Sequence, residues 1–146
     1  MTITKEALEK IKVFEGLRLE SYLDIVGVPT IGFGSTKGVK LGQKITTDQA
    51  EELLKQDLLP CETAVTKLTN GKLNPNQFSA CCDFCFNLGI GAFSRSTLLK
   101  LINEGKFSEA AEEFQQWDHA GNRVVACLLV RRLWEKNLFL SVVGLI

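Results

Sequence analysis

The run from Asn74 to Leu88 is apolar on nearly every side and most constrains the fold of this chain. It opens with a capping side chain, a proline in the first helical turn and Gln77 two residues later, which together predict a helix start at Pro75. The apolar residues that follow are Phe78, Cys81, Cys82, Phe84, Cys85, Phe86 and Leu88. Because a helix that is apolar all round belongs in the centre of a domain, we predict a helical unit built around this segment.

Helical periodicity predicts further helices on both sides of the central one. The first has Thr4 as its N-cap and ends at Glu15, before Gly16. The second begins in a capping-box pattern at Thr46 and is broken or restarted by Pro60. The glycines of the segment 89–91 are expected to end the central helix, and shorter helices are expected at about 95–104, 108–117 and 124–139.

Between the first two helices, glycines alternate with β-type residues and predict a small sheet of two or three short strands. Asp24 to Gly27 is a turn candidate, and Pro29 marks a strand start. The predicted fold class is therefore α+β. We expect one domain over 1–146, with an antiparallel sheet lobe at about 16–45 and a larger helical lobe made of 1–15 and about 46–146.

Charge and cysteine content narrow the classes of function. The 17 basic and 17 acidic residues leave no net charge, so we expect no nucleic-acid partner. Five cysteines, an odd number with three of them clustered, are not a secreted disulfide framework. Cys82 and Cys85 have the spacing of redox and metal sites, but their apolar neighbours favour core thiols. The single histidine, His119, favours a surface role over a catalytic triad or a zinc site, and no metal or cofactor is expected.

The ends of the chain give no sign of a membrane anchor. The first residues lack the continuous apolar run of a signal peptide. The apolar run from Leu138 to Ile146 is too short to span a bilayer. We therefore expect no stable membrane insertion and a protein that is made and kept in a reducing cytoplasm.

The segment 14–34 carries two carboxyl groups and a hydroxyl on different predicted elements. Glu15 lies at a helix end, where the helix dipole and apolar neighbours favour the protonated acid. Taken singly, Glu15 is typical of a solvated helix end, Asp24 of a turn and Thr30 of a strand. Together they provide the separated carboxyls, with a polar group beside one of them, that glycosidic bond cleavage needs.

The same segment resembles the signature of the phage-type lysozymes, through Glu15-Gly16, Tyr22-x-Asp24, Gly27 and Thr30-Ile31-Gly32-x-Gly34. Similar segments continue over nearly the whole chain. The resemblance implies a lysozyme-like fold and an endolysin that lyses a bacterial host. Its reaction would be hydrolysis, with inversion, of the β-1,4 bond between N-acetylmuramic acid and N-acetylglucosamine in peptidoglycan. It implies no cofactor and no metal.

The resemblance also implies roles for single residues. Glu15 would be the general acid, Asp24 would orient or deprotonate the attacking water, and Thr30 would help to hold that water. Further along the chain, Phe86 and Ser96 match positions that line the saccharide cleft. Arg131 matches an arginine of the last helix that approaches the catalytic glutamate and would favour its charged form.

Each of the later residues also has a structural interpretation. Phe86 lies on the apolar helix and suits the core, whereas Ser96 suits a helix cap. Arg132 could take the supporting role in place of Arg131. The two tryptophans could stack on sugars, but their helical spacing favours packing.

Two positions depart from the family pattern. Ser35 stands where many relatives carry a histidine, which removes a possible ion pair but not the chemistry. Ala126 and Cys127 stand where relatives tend to have proline and glycine, so the last helix is expected to start earlier or sit differently near Arg131.

Two alternatives remain open beside a hydrolase. A lytic transglycosylase would need one glutamate and no positioned water, and Asp24 and Thr30 argue against it. A catalytically inactive homologue that only binds glycan is disfavoured by the intact set of three residues. The resemblance further implies a monomer that stays in the host cytoplasm until a holin opens the inner membrane, and then reaches the cell wall.

Overall fold

The computed structural model describes residues 1–120 and 123–141, in which helices predominate and short antiparallel strands accompany them. This composition confirms the predicted α+β class. In chain order the elements are α1 (Lys5–Glu15), β1 (Arg18–Leu23), β2 (Pro29–Gly32), α2 (Thr47–Leu68), α3 (Pro75–Leu88), α4 (Ile90–Ser94), α5 (Thr97–Asn103), α6 (Phe107–Glu113), a 3-10 helix (Phe114–Trp117), β3 (His119–Ala120), β4 (Arg123–Val124) and α7 (Ala126–Leu140).

Backbone contacts divide the chain into two compact units. The first, called the sheet unit below, consists of residues 8–60. The second, the helical unit, consists of residues 1–7 and 61–146. Within the part of the chain that is described, no helix is long and apolar enough to cross a membrane.

The sheet unit holds β1 and β2, which pair antiparallel. Tyr22 lies opposite Thr30, and the register is irregular between Arg18 and Tyr22. Residues 43–45 pair with β1 as a third extended segment, because Ile45 N–H donates to a β1 carbonyl at 2.9 Å. After β2 the chain turns back on itself, and Ile31 and Ser35 exchange two hydrogen bonds of 2.9 Å. The predicted small sheet of two or three strands is thus confirmed.

Helix α2 runs unbroken through Pro60, so the expected break or restart there is wrong. Its predicted capping box is present: Gln49 N–H donates to Thr46 Oγ1 at 3.1 Å, and Thr46 N–H donates to Gln49 Oε1 at 2.8 Å. Pro60 has no N–H to donate to the Gln56 carbonyl. Both residues are exposed, so water can bind that carbonyl and the helix continues.

The helical unit is built around α3, as predicted. Its capping box joins Asn74 and Gln77, and every residue from Phe78 to Cys85 is buried. The Phe84 ring makes edge-on contacts with three aromatic rings, at centroid distances of 6.1 Å to Phe93, 5.8 Å to Phe114 and 5.4 Å to Trp117. Offset and edge-on arrangements of this kind are the favourable ones for aromatic side chains. The packing role predicted for Trp117 is therefore confirmed.

Three boundaries in the helical unit differ from the predictions. Gly89 ends α3, but Gly91 lies inside the short α4 rather than in a break. The segment expected as one helix at 108–117 divides into α6 and the 3-10 helix. Two short paired strands of two residues each, β3 and β4, lie where a loop was expected before the last helix, and α7 starts only at Ala126. Gly121 and the apolar residues 142–146 lie outside the described residues.

Candidate active site

Asp24 organises the turn between β1 and β2. Its Oδ1 accepts hydrogen bonds from Val26 N–H at 2.9 Å and from Val28 N–H at 2.8 Å. Its carbonyl accepts from Gly27 N–H at 3.0 Å, and Gly27 has a φ of +85°, in the left-handed region that favours glycine. In residues 1–120 and 123–141, the second carboxylate oxygen, Oδ2, accepts no hydrogen bond. Oδ1 therefore stabilises the turn, and Oδ2 remains available to a ligand.

Thr30 and Asp24 are both hydrogen-bonded to Val28. The Thr30 side chain is buried, and its hydroxyl donates to the Val28 carbonyl at 2.9 Å. That carbonyl also accepts the Asp24 N–H at 3.0 Å. Because the Thr30 hydrogen is engaged, its Oγ1 presents lone pairs and acts as an acceptor. Asp24 and Thr30 are therefore both hydrogen-bonded to the backbone of Val28, and each keeps an oxygen, Asp24 Oδ2 and Thr30 Oγ1, that can accept a hydrogen bond.

Glu15 is the last residue of α1, and its half-buried side chain extends to Gly34. A Cβ placed on Gly34 would lie 3.5 Å from Glu15 Oε1. The φ of Gly34 is +94°, a left-handed backbone conformation that favours glycine here. The turn that pairs Ile31 with Ser35 brings Gly34 back beside the end of β2, the strand that carries Thr30. The three candidate catalytic residues thus lie in the sheet unit, on a helix end, a turn and a strand.

Phe86 and Ser96 lie in the helical unit. Phe86 is half-buried on α3 and packs against the core. Ser96 is the N-cap of α5: Leu99 N–H donates to its Oγ at 3.1 Å, and its hydroxyl donates to the Phe93 carbonyl at 2.7 Å. The structural interpretation of each residue is therefore confirmed, and the roles in lining a saccharide cleft stay predictions.

Arg131, on α7, is buried and forms a two-pronged ion pair with Asp83 of α3. Its Nε donates to Asp83 Oδ2 at 3.0 Å, and its terminal nitrogen lies 2.6 Å from Oδ1. Asp83 is completely buried. Paired hydrogen bonds of this type fix the plane of the guanidinium as well as its position. A supporting role for Arg131 toward Glu15 stays a prediction.

Arg132 pairs with a different acid, Glu135 of the same helix. Arg132 Nε lies 2.6 Å from Glu135 Oε1, and both side chains are fully buried. Burial raises the pKa of Glu135 well above its usual range, and the charge of Asp83 adds to this effect against the opposing effect of Arg132. Asp83, Arg131, Arg132 and Glu135 are called the buried charge cluster below. Sequence reasoning missed both acids, although a single acid within the apolar run of α3 was a visible signal.

Ser35 keeps a link to a carboxylate although it stands in place of a histidine. Its hydroxyl donates to Asp57 Oδ2 at 2.6 Å. A hydrogen bond from a neutral hydroxyl to a carboxylate therefore occupies the position expected to have lost an ion pair. His119 is exposed and contacts Asp118 at 2.6 Å, which confirms its predicted surface role. Within the described residues, no group of acidic, histidine and cysteine side chains is arranged to hold a metal ion.

The cysteines are free thiols that differ in exposure. Cys61, Cys81, Cys82 and Cys85 are buried, whereas Cys127 is exposed. Burial, with a smaller effect of Glu62, raises the pKa of Cys61 to about 11. Burial also raises the pKa of the three thiols on α3. The core interpretation of the cysteine pair on α3 is therefore confirmed.

These exposures predict that one thiol reacts quickly in the native protein. A thiol reagent should label Cys127 first, because only the exposed thiolate is accessible to attack. Mass spectrometry of native and denatured samples should show one rapid addition and four that require unfolding. A Cys127→Ser variant, as control, should show no rapid addition; rapid labelling of the α3 thiols would contradict their burial.

Comparison with known proteins agrees with these features. The profile of the phage lysozyme family matches residues 12–135. The endolysin of Salmonella phage P22 is 40% identical over an alignment of 146 positions that covers 97% of this chain and 99% of that protein. The structure of a P22 lysozyme mutant has a TM-score of 0.89 at 41% identity and covers 97% of this chain and 99% of its own. The muramidase domain of SpmX from Asticaccaulis excentricus has the same TM-score and identity, over 96% and 98% of the two chains. This chain belongs to the phage lysozyme family, and it has the lysozyme-like fold.

Proposed function

We propose that this protein is an endolysin with muramidase activity. Its substrate is bacterial peptidoglycan, and it hydrolyses the β-1,4 bond between N-acetylmuramic acid and N-acetylglucosamine, which lyses the host cell. The observation that carries this proposal is the pair of acceptors, Asp24 Oδ2 and Thr30 Oγ1, on two residues that are both hydrogen-bonded to the backbone of Val28. The names of the relatives, an endolysin and a muramidase domain, support the same activity.

In the proposed mechanism, Glu15 protonates the glycosidic oxygen as the bond to the anomeric carbon breaks. A water molecule, with its hydrogens directed to Asp24 and Thr30, keeps a lone pair for attack on that carbon. The proton that the water loses passes to Asp24. In an inverting enzyme of this kind the two carboxyls stand about 6.5–9.5 Å apart to leave room for the water. Thr30 accepts a hydrogen bond throughout and exchanges no proton.

The helical unit supplies the supporting residues in this proposal. Phe86 and Ser96 would contact the saccharide, and Arg131 would stabilise the charge that Glu15 acquires after it gives up its proton. The ion pair with Asp83 supports this role, because it fixes the guanidinium in one orientation. We further propose that the enzyme works as a monomer and remains in the host cytoplasm until a holin gives it access to the wall.

The chemistry of the digestion products tests the proposed function. Purified peptidoglycan is digested, and the new glycan ends are identified by mass spectrometry. We expect reducing N-acetylmuramic acid ends, which are the products of hydrolysis. Anhydro ends would identify a lytic transglycosylase instead, and a chain that binds the wall but releases no fragments would be a glycan-binding homologue.

Asp24→Asn tests the role of the second carboxyl. The amide oxygen can still accept from Val26 and Val28, so we expect the turn to persist. Loss of the negative charge at Oδ2 should lower kcat at least tenfold, or by about 1.4 kcal/mol in the barrier. Asp48→Asn, which neutralises an exposed acid of the same unit, is the matched control and should leave kcat unchanged. An unchanged rate in Asp24→Asn would reduce Asp24 to a turn residue.

A further inference from the structure

The exposed Arg18 and the half-buried Tyr22 form a stack on β1 that the proposed mechanism does not use. The guanidinium carbon of Arg18 lies 4.3 Å from the centroid of the Tyr22 ring, well within the range of a cation–π contact. Arg18 is exposed, and in the described ranges 1–120 and 123–141 no carboxylate forms an ion pair with it. The ring holds the guanidinium through its face, so the N–H groups at its edge remain available to a ligand.

The register of the sheet places this stack beside the candidate catalytic strand. Tyr22 lies opposite Thr30, and Arg18 lies opposite Gly32. Directly opposed residues of an antiparallel pair project to the same face, so the Tyr22 ring neighbours the Thr30 side chain. The carboxyl of Glu15 lies at Gly34, just beyond Gly32. The stack therefore lies opposite the part of β2 from Thr30 to Gly32, between the Thr30 side chain and the Glu15 carboxyl.

The charge of the segment that carries the stack favours an anionic ligand. The segment 16–46 carries four basic residues and two acidic ones. One of the acids is Asp24, and the other, Glu20, lies opposite Lys44 in an antiparallel β-bridge. The segment that carries the stack is thus positive on balance, although the whole chain is neutral.

We infer that the Arg18–Tyr22 stack is a substrate subsite that binds a carboxylate of the peptide stem of peptidoglycan. Muramic acid carries this peptide on its lactyl group, so a carboxylate close to the scissile bond is a regular feature of the polymer. A planar guanidinium binds a carboxylate through two parallel hydrogen bonds, and the Tyr22 ring orients it for this contact. The inference rests on the proposed function and adds the part of the substrate that the sheet unit recognises.

The test compares native peptidoglycan with the same material after its carboxylates have been converted to amides. Arg18→Gln should raise KM on native peptidoglycan about tenfold, the effect of losing a charge-assisted hydrogen bond, and leave kcat near the wild-type value. On the amidated polymer the variant and the wild type should have equal KM values. Tyr22→Phe, which keeps the ring, should behave as wild type, and Tyr22→Leu should behave as Arg18→Gln.

Lys37→Gln is the matched control, because it removes one exposed positive charge from the same unit. It should change KM by about twofold or less, as expected for a solvated charge. An unchanged KM for Arg18→Gln on native peptidoglycan would overturn the subsite, as would an equal loss on native and amidated material. In both of those cases an active wild type leaves the proposed function intact. A wild type that releases no fragments from either substrate would overturn the proposed function and the subsite together.

Discussion

Glu15→Gln should lower the rate of peptidoglycan hydrolysis about a thousandfold while the fold survives. Glutamine has nearly the shape of glutamic acid, so the side chain can keep its position beside Gly34. Its amide cannot protonate the leaving glycosidic oxygen, which removes the acid from the proposed mechanism. A thousandfold loss corresponds to about 4 kcal/mol in the activation barrier. No other single replacement proposed for this chain should affect the chemical step as strongly.

The measurement is the clearing of a peptidoglycan suspension, followed by turbidity and by the release of reducing ends. Glu6→Gln is the matched control, because Glu6 is an exposed glutamate in the first turn of the same helix. It should clear the suspension at the wild-type rate. Thermal unfolding of both variants checks that the fold is retained. Clearing by Glu15→Gln at a rate close to that of the wild type would remove Glu15 from the role of general acid.

The largest effect on stability is expected in the buried charge cluster. Glu135→Ala should lower the free energy of unfolding by about 3–5 kcal/mol, because it leaves a buried charge without its partner. Arg132 and Glu135 are both fully buried, and the Arg132 guanidinium also lies 5.4 Å from the centre of the Phe84 ring. The ring contact alone does not replace a carboxyl. Urea unfolding followed by circular dichroism gives the free energy of each variant.

Glu112→Ala is the control for this comparison, because Glu112 forms an exposed ion pair with Lys136 at 3.0 Å. Loss of an exposed pair of this kind should cost about 1 kcal/mol or less. If Glu135→Ala destabilised the protein no more than Glu112→Ala, the buried pair would not contribute to the stability of the helical unit.

The raised pKa of Glu135 also predicts how the free energy of unfolding depends on pH. The pKa of Glu135 is raised in the folded state, so its contribution is fully present below the unfolded pKa and is lost as pH rises toward the folded value. Each pH unit in that window costs at most about 1.4 kcal/mol from one group. Glu135→Gln cannot ionise, so its free energy of unfolding should not show this decline above the ordinary pKa of a glutamate.

Much of the fold could be predicted because its signals are local. The capping boxes at Thr46 and Asn74 involve residues three positions apart, and the turn at Asp24 needs only the next few residues. The break expected at Pro60 was wrong because the outcome depends on whether the carbonyl of Gln56 is exposed, which sequence does not show. The pairing of β3 with β4 was missed because strands of two residues are too short to show a period.

The candidate site likewise has one part that the sequence could predict and one part that it could not. Glu15, Asp24 and Thr30 lie in one short segment, so their pattern could be found in the sequence. The pair of Asp83 and Arg131 joins residues 48 positions apart on two helices, and one sequence contains no sign of that pairing. A buried pair is recognised only when burial is known, because an arginine on a helix and a single acid in an apolar run each have ordinary explanations.

The double hydrogen bond to the Val28 carbonyl has a consequence for mutational tolerance. Val28 positions Asp24 and Thr30 through its backbone N–H and carbonyl, so none of these hydrogen bonds involves its side chain. In a saturation library at this codon, nineteen of the twenty amino acids would keep the N–H that binds Asp24, and proline alone would lose it. A position that tolerates almost every substitution can therefore still be indispensable, and a search for invariant side chains would pass over it.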